Sequence, residues 1–432
     1  MGQPSRQDAG GGANGSVGAL DSLKRLGPGI VLVIASVGPR DLITNAIAGA
    51  NYGYRLLWLM VLASIARYLL MEASARYVIA TGETLLTGFR RVGGGMSGWV
   101  VVLAIFCKRH LSNLYHMLLL GLSFSLLSGL EAKAAQTAAS VASCALAFGL
   151  MYGKGYSGVE RWSRWLAAML GGALLAIVIL AQPDWMQVAA EAMRFAVPES
   201  SGTAGYGPFL VILMLLGGNV ESVTNLKFSA FVFAKGWRDP SYMRQTRFDL
   251  ITGIVGSLLM VILIQVAAGA VLHPRGLHVK ELSDLVEMFT SVLGPAGKIL
   301  LCVSIWTIVF NTYVGSNMAY SLLTADLVVR EGEGFEKRRE QVYRWALLVY
   351  CVPPLYVFWT KWKPLPLVLA SSALFAAAIP LVVTLILALA NDRKRMGRLA
   401  NGWVANMLFG LVLLLSLFAT WEAVGEAIGD WR

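Results

Sequence analysis

Charge is scarce in this chain. Only 14% of its 432 residues are Asp, Glu, Lys or Arg, against about 25% in an ordinary soluble domain. Histidine and cysteine occur four times each. Cys107, Cys144, Cys302 and Cys351 are scattered, mostly within apolar runs, with no CxxC or other metal-ligand spacing. Neither a disulfide framework nor a zinc site is indicated. No HExxH, P-loop, GxSxG or strand-to-helix GxGxxG occurs, so no enzyme, no catalytic residue and no cofactor is predicted. A soluble domain has no room either. The longest connections between apolar runs are roughly residues 182–205 and 273–293.

What the chain has is apolar residues, 56% of the total, and a positive mean hydropathy. That composition describes a polytopic, all-α membrane protein. The net charge of +11 could suit nucleic acid. The basic residues, however, sit in short loops between apolar runs, where membrane topology already requires them. Lipid is therefore the expected surrounding partner, and nucleic acid is not. Residues 1–22 are polar and Gly-rich with no apolar core, which reads as a disordered tail and not a signal peptide.

A helix needs about 20 apolar residues to cross a bilayer. Eleven segments qualify: 27–51, 55–80, 98–128, 134–152, 159–181, 206–235, 247–272, 294–325, 342–360, 365–390 and 401–424. Lys24/Arg25, Arg90/Arg91, Lys154/Arg161/Arg164, Lys235/Arg238/Arg244/Arg247, Lys337/Arg338/Arg339/Arg344 and Arg393/Lys394/Arg395/Arg398 fall in loops on one side. That side is assigned to the cytoplasm, with the N-terminus inside and the C-terminus outside. Lys361 and Lys363 are the main exception. The expected location is a bacterial-type inner (plasma) membrane, and the expected state is a monomer.

Two segments are interrupted. The first contains Gly38-Pro39-Arg40-Asp41; the sixth contains Gly217-Gly218-Asn219 followed by Glu221. Pro39 lacks an N–H and Gly38 tolerates unusual dihedrals, so the first helix can unwind there. Gly217 and Gly218 are the corresponding break in the sixth. The two breaks lie about 180 residues apart, the spacing of a five-plus-five repeat. An odd number of spans per copy inverts the second copy in the membrane. Residues 23–181 form the first repeat, 206–390 the second, and 401–424 an additional helix. Interrupted helices at matching positions mark a transporter's binding site, where freed carbonyls attract cations and freed N–H groups attract anions.

The chain resembles the Nramp family of proton-coupled divalent-metal transporters. "LGPGIVLVIASVGPRDLITNAIAGANYGYRLLW" is similar to the family's first segment, "ARYVIATG" to the end of its second, "GSNMAYSLL" to its eighth, and "AIPLVVTLILALANDRKRMG" to the end of its tenth and the following loop. The resemblance implies a LeuT-type fold with helices 1 and 6 broken. It implies alternating access, and metal bound between those breaks.

The functional positions depart from that family. Its first break reads Asp-Pro-Gly-Asn, with Asp and Asn binding metal; here stand Gly38, Pro39, Arg40 and Asp41. Its sixth segment carries Ala-x-x-Met then Pro-His; here those positions are Asn219, Ser222, Val223 and Thr224, with Glu221 as a new acid. Its acidic proton route in the third segment is replaced by Lys108, Arg109, His110 and His116.

An all-oxygen site of Asp41, Glu221, Asn219 and Ser222 suits a hard cation of the Mg²⁺ or Mn²⁺ kind. Gly38, Arg40 and Thr224 complete the candidate site. Lys108, Arg109 and His116 are candidate pathway residues, and proton coupling should be weak or absent. The alternatives are open at several positions. Asp41 is either a ligand or a helix N-cap. Arg40 either pairs with Glu221 or clamps an anionic or zwitterionic organic solute. A sensor or scaffold without transport is a third reading. Lys108, Arg109 and His110 are consecutive and cannot all face one cavity. Arg67, Glu72 and Arg76 read as an internal ion-pair network.

Overall fold

A computed structural model describes residues 38–130, 132–152, 157–198, 206–220, 228–229, 232–233, 235–329, 334–377 and 379–429. Among the described residues every regular element is a helix. They are α1 (Pro39–Tyr52), α2 (Leu57–Thr81), α3 (Leu85–Ser128), α4 (Lys133–Tyr152), α5 (Ser157–Ala181), α6 (Trp185–Ala192) and α7 (Pro208–Asn219). There follow α8 (Met243–Val271), α9 (Leu282–Leu293), α10 (Pro295–Val328), α11 (Phe335–Cys351), α12 (Pro364–Ala377), α13 (Ile379–Ala390) and α14 (Trp403–Gly429), with short helical turns between some of them.

Eight helical stretches among the described residues are long and apolar enough to cross a membrane, or nine when α6 is joined to the last turns of α5 across a 111° bend. The first and sixth expected spans appear differently. They are represented by α1 and α7, of 14 and 12 residues. At 1.5 Å per residue each covers about 20 Å, less than a bilayer core. The other portions, residues 27–37 and 221–227, lie outside the described residues.

All 14 residues of α1 are buried. A helix wholly enclosed by others must approach them closely, and small residues allow it. A Cβ at Gly49 would stand 2.3 Å from the Gln265 carbonyl oxygen of α8, so α1 and α8 touch backbone to backbone there. At Gly217 the Cβ would stand 1.9 Å from the Ser372 carbonyl oxygen of α12. Gly217 and Gly218 fall in the last turn of α7, which runs on to Asn219. Gly217 is there because α12 passes too close for a side chain.

The 273–293 connection also differs from expectation, because it contains α9. Asp284, at the third position of α9, accepts the backbone N–H of Lys280 at 2.7 Å and of Glu281 at 2.8 Å, satisfying donors that a helix start leaves open. The 182–205 connection likewise contains α6, whose N-cap Asp184 accepts the N–H groups of Met186 and Gln187. Within α3, the backbone leaves helical geometry at Gly94, at φ 72° and ψ 178°.

Of the expected network on the second span, the Glu72–Arg76 pair is present, and it extends to other elements. Glu72 pairs with Arg76 at 3.0 Å and with Arg247 at 2.8 Å. Arg76 also donates to the Leu399 carbonyl and the Asn401 side chain, both at 2.7 Å. These bonds join α2 to the start of α8 and to the segment before α14.

Candidate functional site

The site begins where α1 begins. Gly38 is extended, at φ −87° and ψ 174°, and Pro39 occupies the first helical position, where its missing N–H costs nothing. Asp41 sits two residues on, and its Oδ2 accepts the Gly38 N–H at 2.8 Å. The carboxylate thus ties the helix start and lies in the favourable field of its positive end. Thr44 Oγ1 donates to the Arg40 carbonyl at 3.0 Å and Asn45 Nδ2 to the Asp41 carbonyl at 2.7 Å, which stiffens this first turn.

The end of α7 lies against that turn. A Cβ at Gly218 would meet Asp41 Oδ1 at 3.1 Å, Thr44 Oγ1 at 3.5 Å and Arg40 Nε at 3.9 Å. Arg40, only 5% exposed, reaches across with Nη2 3.5 Å from the Gly218 carbonyl oxygen. A cation at the C-terminal end of a helix is electrostatically favoured. The positive start of α1 and the negative end of α7 therefore meet, with Asp41 and Arg40 between them. Asn219, the last residue of α7, donates from Nδ2 to the Leu215 carbonyl at 2.9 Å and to the Met60 sulfur at 3.4 Å. Any ligand role of Asn219 falls to its oxygen. Glu221, Ser222 and Thr224 lie outside the described residues.

A cavity of about 30 Å³ opens beside the start of α1, between it, α3 and α10. Its lining includes Gly38, Pro39, Arg40 and Asp41 from α1, Lys108, Arg109, Ser112, Tyr115 and His116 from α3, and Thr312, Ser316 and Tyr320 from α10. The three pathway candidates, Lys108, Arg109 and His116, are thus brought to the same cavity as Arg40 and Asp41. His110 stands apart: its ring stacks between Phe106 and Tyr356, with Nε2 3.2 Å from the Tyr356 hydroxyl.

Each cation is received differently. Lys108 Nζ lies 4.9 Å from the centre of the Phe375 ring, and the Arg40 guanidinium carbon lies 5.6 Å from the same ring. One α12 aromatic ring is thus within cation–π reach of two cations. Arg109, 2% exposed, donates to the Asn113 side chain and, at 3.2 Å, to Asn317 Oδ1. Asn113 in turn donates to Asn317 Oδ1 at 3.0 Å and to the Tyr350 carbonyl at 2.8 Å. Two amides held by each other and by backbone keep the guanidinium fork in place. His116 packs on Tyr115, ring centres 4.5 Å apart.

Asn113, Asn317 and Phe375 were not singled out from the sequence. The two asparagines carried a signal, as amides inside apolar runs; Phe375 carried none, being one aromatic among many. Among the described residues no group of three or more His, Cys, Asp or Glu side chains is placed to hold a metal ion. Asp41 is the single carboxylate among the described lining residues.

Comparison with known proteins places the chain among membrane transporters. Residues 29–424 match the family described as natural resistance-associated macrophage protein-like. A protein of Burkholderia ambifaria named divalent metal cation transporter MntH is 25% identical over 414 residues, covering 92% of this chain and 88% of its own length. A protein of the same name from Deinococcus radiodurans is 25% identical over 432 residues, covering 96% and 93%. Among solved structures, an Eremococcus coleocola manganese transporter bound to an aromatic bis-isothiourea compound superposes with a TM-score of 0.74 at 19% identity, covering 97% of this chain and 90% of its own. MhsT in complex with L-phenylalanine superposes at 0.58 with 12% identity, covering 92% and 97%.

Proposed function

The chain belongs to the natural resistance-associated macrophage protein-like (Nramp) family and has its LeuT-type helical fold, and from that premise we propose that it is a secondary transporter carrying a divalent metal cation by alternating access. The observation that carries this reading is a small polar cavity of about 30 Å³ between the start of α1, α3 and α10, with the end of α7 packed against the same first turn of α1. An enclosure of that size suits a single ion. Relatives at 25% identity are named divalent metal cation transporters, which supports the class of cargo.

The chemistry around the cavity argues for a hard ion. Oxygen donors are at hand in Asp41, Ser112, Thr312 and Ser316. The nearby Met60 sulfur already receives the Asn219 amide. Carboxylate, hydroxyl and water ligands favour Mg²⁺ or Mn²⁺ over softer metals. Arg40 and Asp41 balance one another formally, and Lys108 and Arg109 add two positive charges. Counter-charge for a dication then has to come from Asp41 together with Glu221, so binding should be weak and the ion should keep some of its water. With Lys108, Arg109 and His116 on α3, no chain of carboxylates leads a proton away from the described site, and coupling to protons should be weak or absent.

The pattern of lysine and arginine in the loops supports a cytoplasmic N-terminus and an outside C-terminus in a bacterial-type plasma membrane. The two interrupted spans support an inverted repeat of residues 23–181 and 206–390, working as a monomer.

One observation favours a second reading. Arg40, Lys108 and Arg109 line the cavity against Asp41, which would suit a small anion held by the Arg40 fork. Uptake of Mn²⁺ and Mg²⁺ into proteoliposomes, followed together with internal pH, separates the readings. Under the cation reading, Asp41→Ala reduces uptake at least tenfold, Arg40→Ala retains it, and internal pH stays flat. Absence of uptake and of binding for both ions at millimolar concentration overturns it in favour of the anion.

A further inference from the structure

The lysines that break the charge rule of the loops converge on one place. A second cavity, of about 430 Å³, lies where α3 ends and α4 begins, beside the start of α9 and the segment joining α11 to α12. Lys133, Lys280, Lys361 and Lys363 stand around it, brought together from three separate connections. Among the described lining residues Glu281 is the one acid, so four positive charges and one negative leave three positive there. The floor is apolar, formed by Leu118, Leu122 and Leu126, which follow one another at helical spacing along α3.

The rim is built, not merely basic. Lys133 Nζ donates to the Thr360 carbonyl at 3.3 Å, and Lys363 Nζ bonds Glu281 Oε1 at 2.6 Å. Those two contacts tie the α11–α12 segment to α4 and α9. Lys280 and Lys361 add two more charges to the same rim. The size falls within the range of about 300–1,000 Å³ of ligand pockets. A basic rim over an aliphatic floor is complementary to an amphipathic anion. The source is the bilayer, because α4 is among the least covered of the long helices, with 22% of its span buried. Its outward face presents Val141 and Leu146, 44% and 55% exposed, so lipid runs alongside the cavity.

We propose that this cavity binds an anionic phospholipid, its phosphate among Lys133, Lys280, Lys361 and Lys363 and an acyl chain on the leucine floor. The bound lipid would hold the α11–α12 segment against α4 and α9.

The test is native mass spectrometry of the full chain released from detergent with phosphatidylglycerol or phosphatidylcholine added. The wild-type chain should retain phosphatidylglycerol in preference. Lys280→Gln/Lys361→Gln should lose that preference, roughly fivefold per lysine from the attraction of one lysine to an anionic lipid surface. Both lysines are exposed, so the chain should fold as before. Glu281→Gln should move the preference the other way, by freeing Lys363. Equal retention of the two lipids by wild type, or an unchanged preference in the lysine double variant, overturns the proposal. Lysine-dependent retention of sn-glycerol 1-phosphate without retention of phosphatidylglycerol would instead assign the cavity to a water-borne anion and also overturn it.

Discussion

Asp41 makes the two meanings of a polar residue in a membrane visible at once. One carboxylate oxygen accepts the Gly38 N–H, and the other faces Gly218 across the junction of α1 and α7. Asp41 is not the N-cap itself: Gly38 is, and Asp41 ties it from the third helical position, a role that leaves its other oxygen for a ligand. Asp41→Asn should separate the two roles: the amide oxygen still accepts the Gly38 N–H while the charge is lost. The expected outcome is a thermal midpoint close to wild type with divalent uptake reduced at least tenfold, read by a melting assay and proteoliposome flux on the same preparation. Arg109 offers a purely structural counterpart. Removing Asn113 leaves a buried guanidinium short of an acceptor, and a hydrogen bond to a charged group is worth about 1.5–3 kcal/mol. Asn113→Ala should destabilise the chain by about 2 kcal/mol, measured as a loss of thermal stability. Gly217→Ala tests the close approach of α7 and α12. Overpacking costs about 1–3 kcal/mol, and with Ser372 backbone 1.9 Å from the added carbon the upper end is expected, measured as a loss of thermal stability.

At the scale of elements, helix ends matter more than helix middles. α1 starts where α7 ends, and their opposed dipoles are what Arg40 and Asp41 meet there. The remaining spans are held in register partly by charge networks at the bundle's ends. One of these joins the α2–α3 loop to α3 and to the segment after α13: Glu83 accepts from Arg91, from Tyr77 at 3.1 Å and from Arg395 at 2.9 Å. Burial by itself would raise the Glu83 carboxyl, but the bonds from Arg91 and Tyr77 and the charges of Arg91 and Arg395 outweigh it, so it sits below its ordinary 4.5. A carboxyl lowered on folding contributes stability that is fully present above its unfolded value and lost as pH falls through the folded one. The difference in melting temperature between wild type and Glu83→Gln should be constant above pH 4.5 and should shrink as the pH falls below it. A difference that grows on acidification would contradict the clamp.

For the whole molecule the sequence carried much and missed in a patterned way. The boundaries of the long helices could be read from apolar runs, because a bilayer demands such runs and little else produces them. The start of α1 at Gly38-Pro39 could be read because proline and a following carboxylate mark a helix start by local chemistry alone. The convergence of Lys108, Arg109 and His116 on Asp41 was anticipated only through resemblance, since nothing local says which helices meet. α9 was missed as a helix because it is half apolar and half exposed, and a hydropathy reading passes over such a segment. The close packing at Gly217 is not legible in the sequence, because a glycine pair serves both to unwind a helix and to admit a neighbour, and the neighbour is α12, over 150 residues away.

The amino-acid sequence alone determined that this is a helical membrane protein, where most of its spans lie, and that polar residues are kept inside two of them. It could do so because the cost of exposing peptide groups and charges to lipid acts on each segment separately. Only the tertiary structure decided that Arg40 turns to the end of α7, that Phe375 lies within reach of two cations, that Asn113 and Asn317 hold Arg109, and that four distant lysines surround one cavity. Those outcomes depend on distances between segments far apart in the chain, and electrostatic and packing energies are set by such distances.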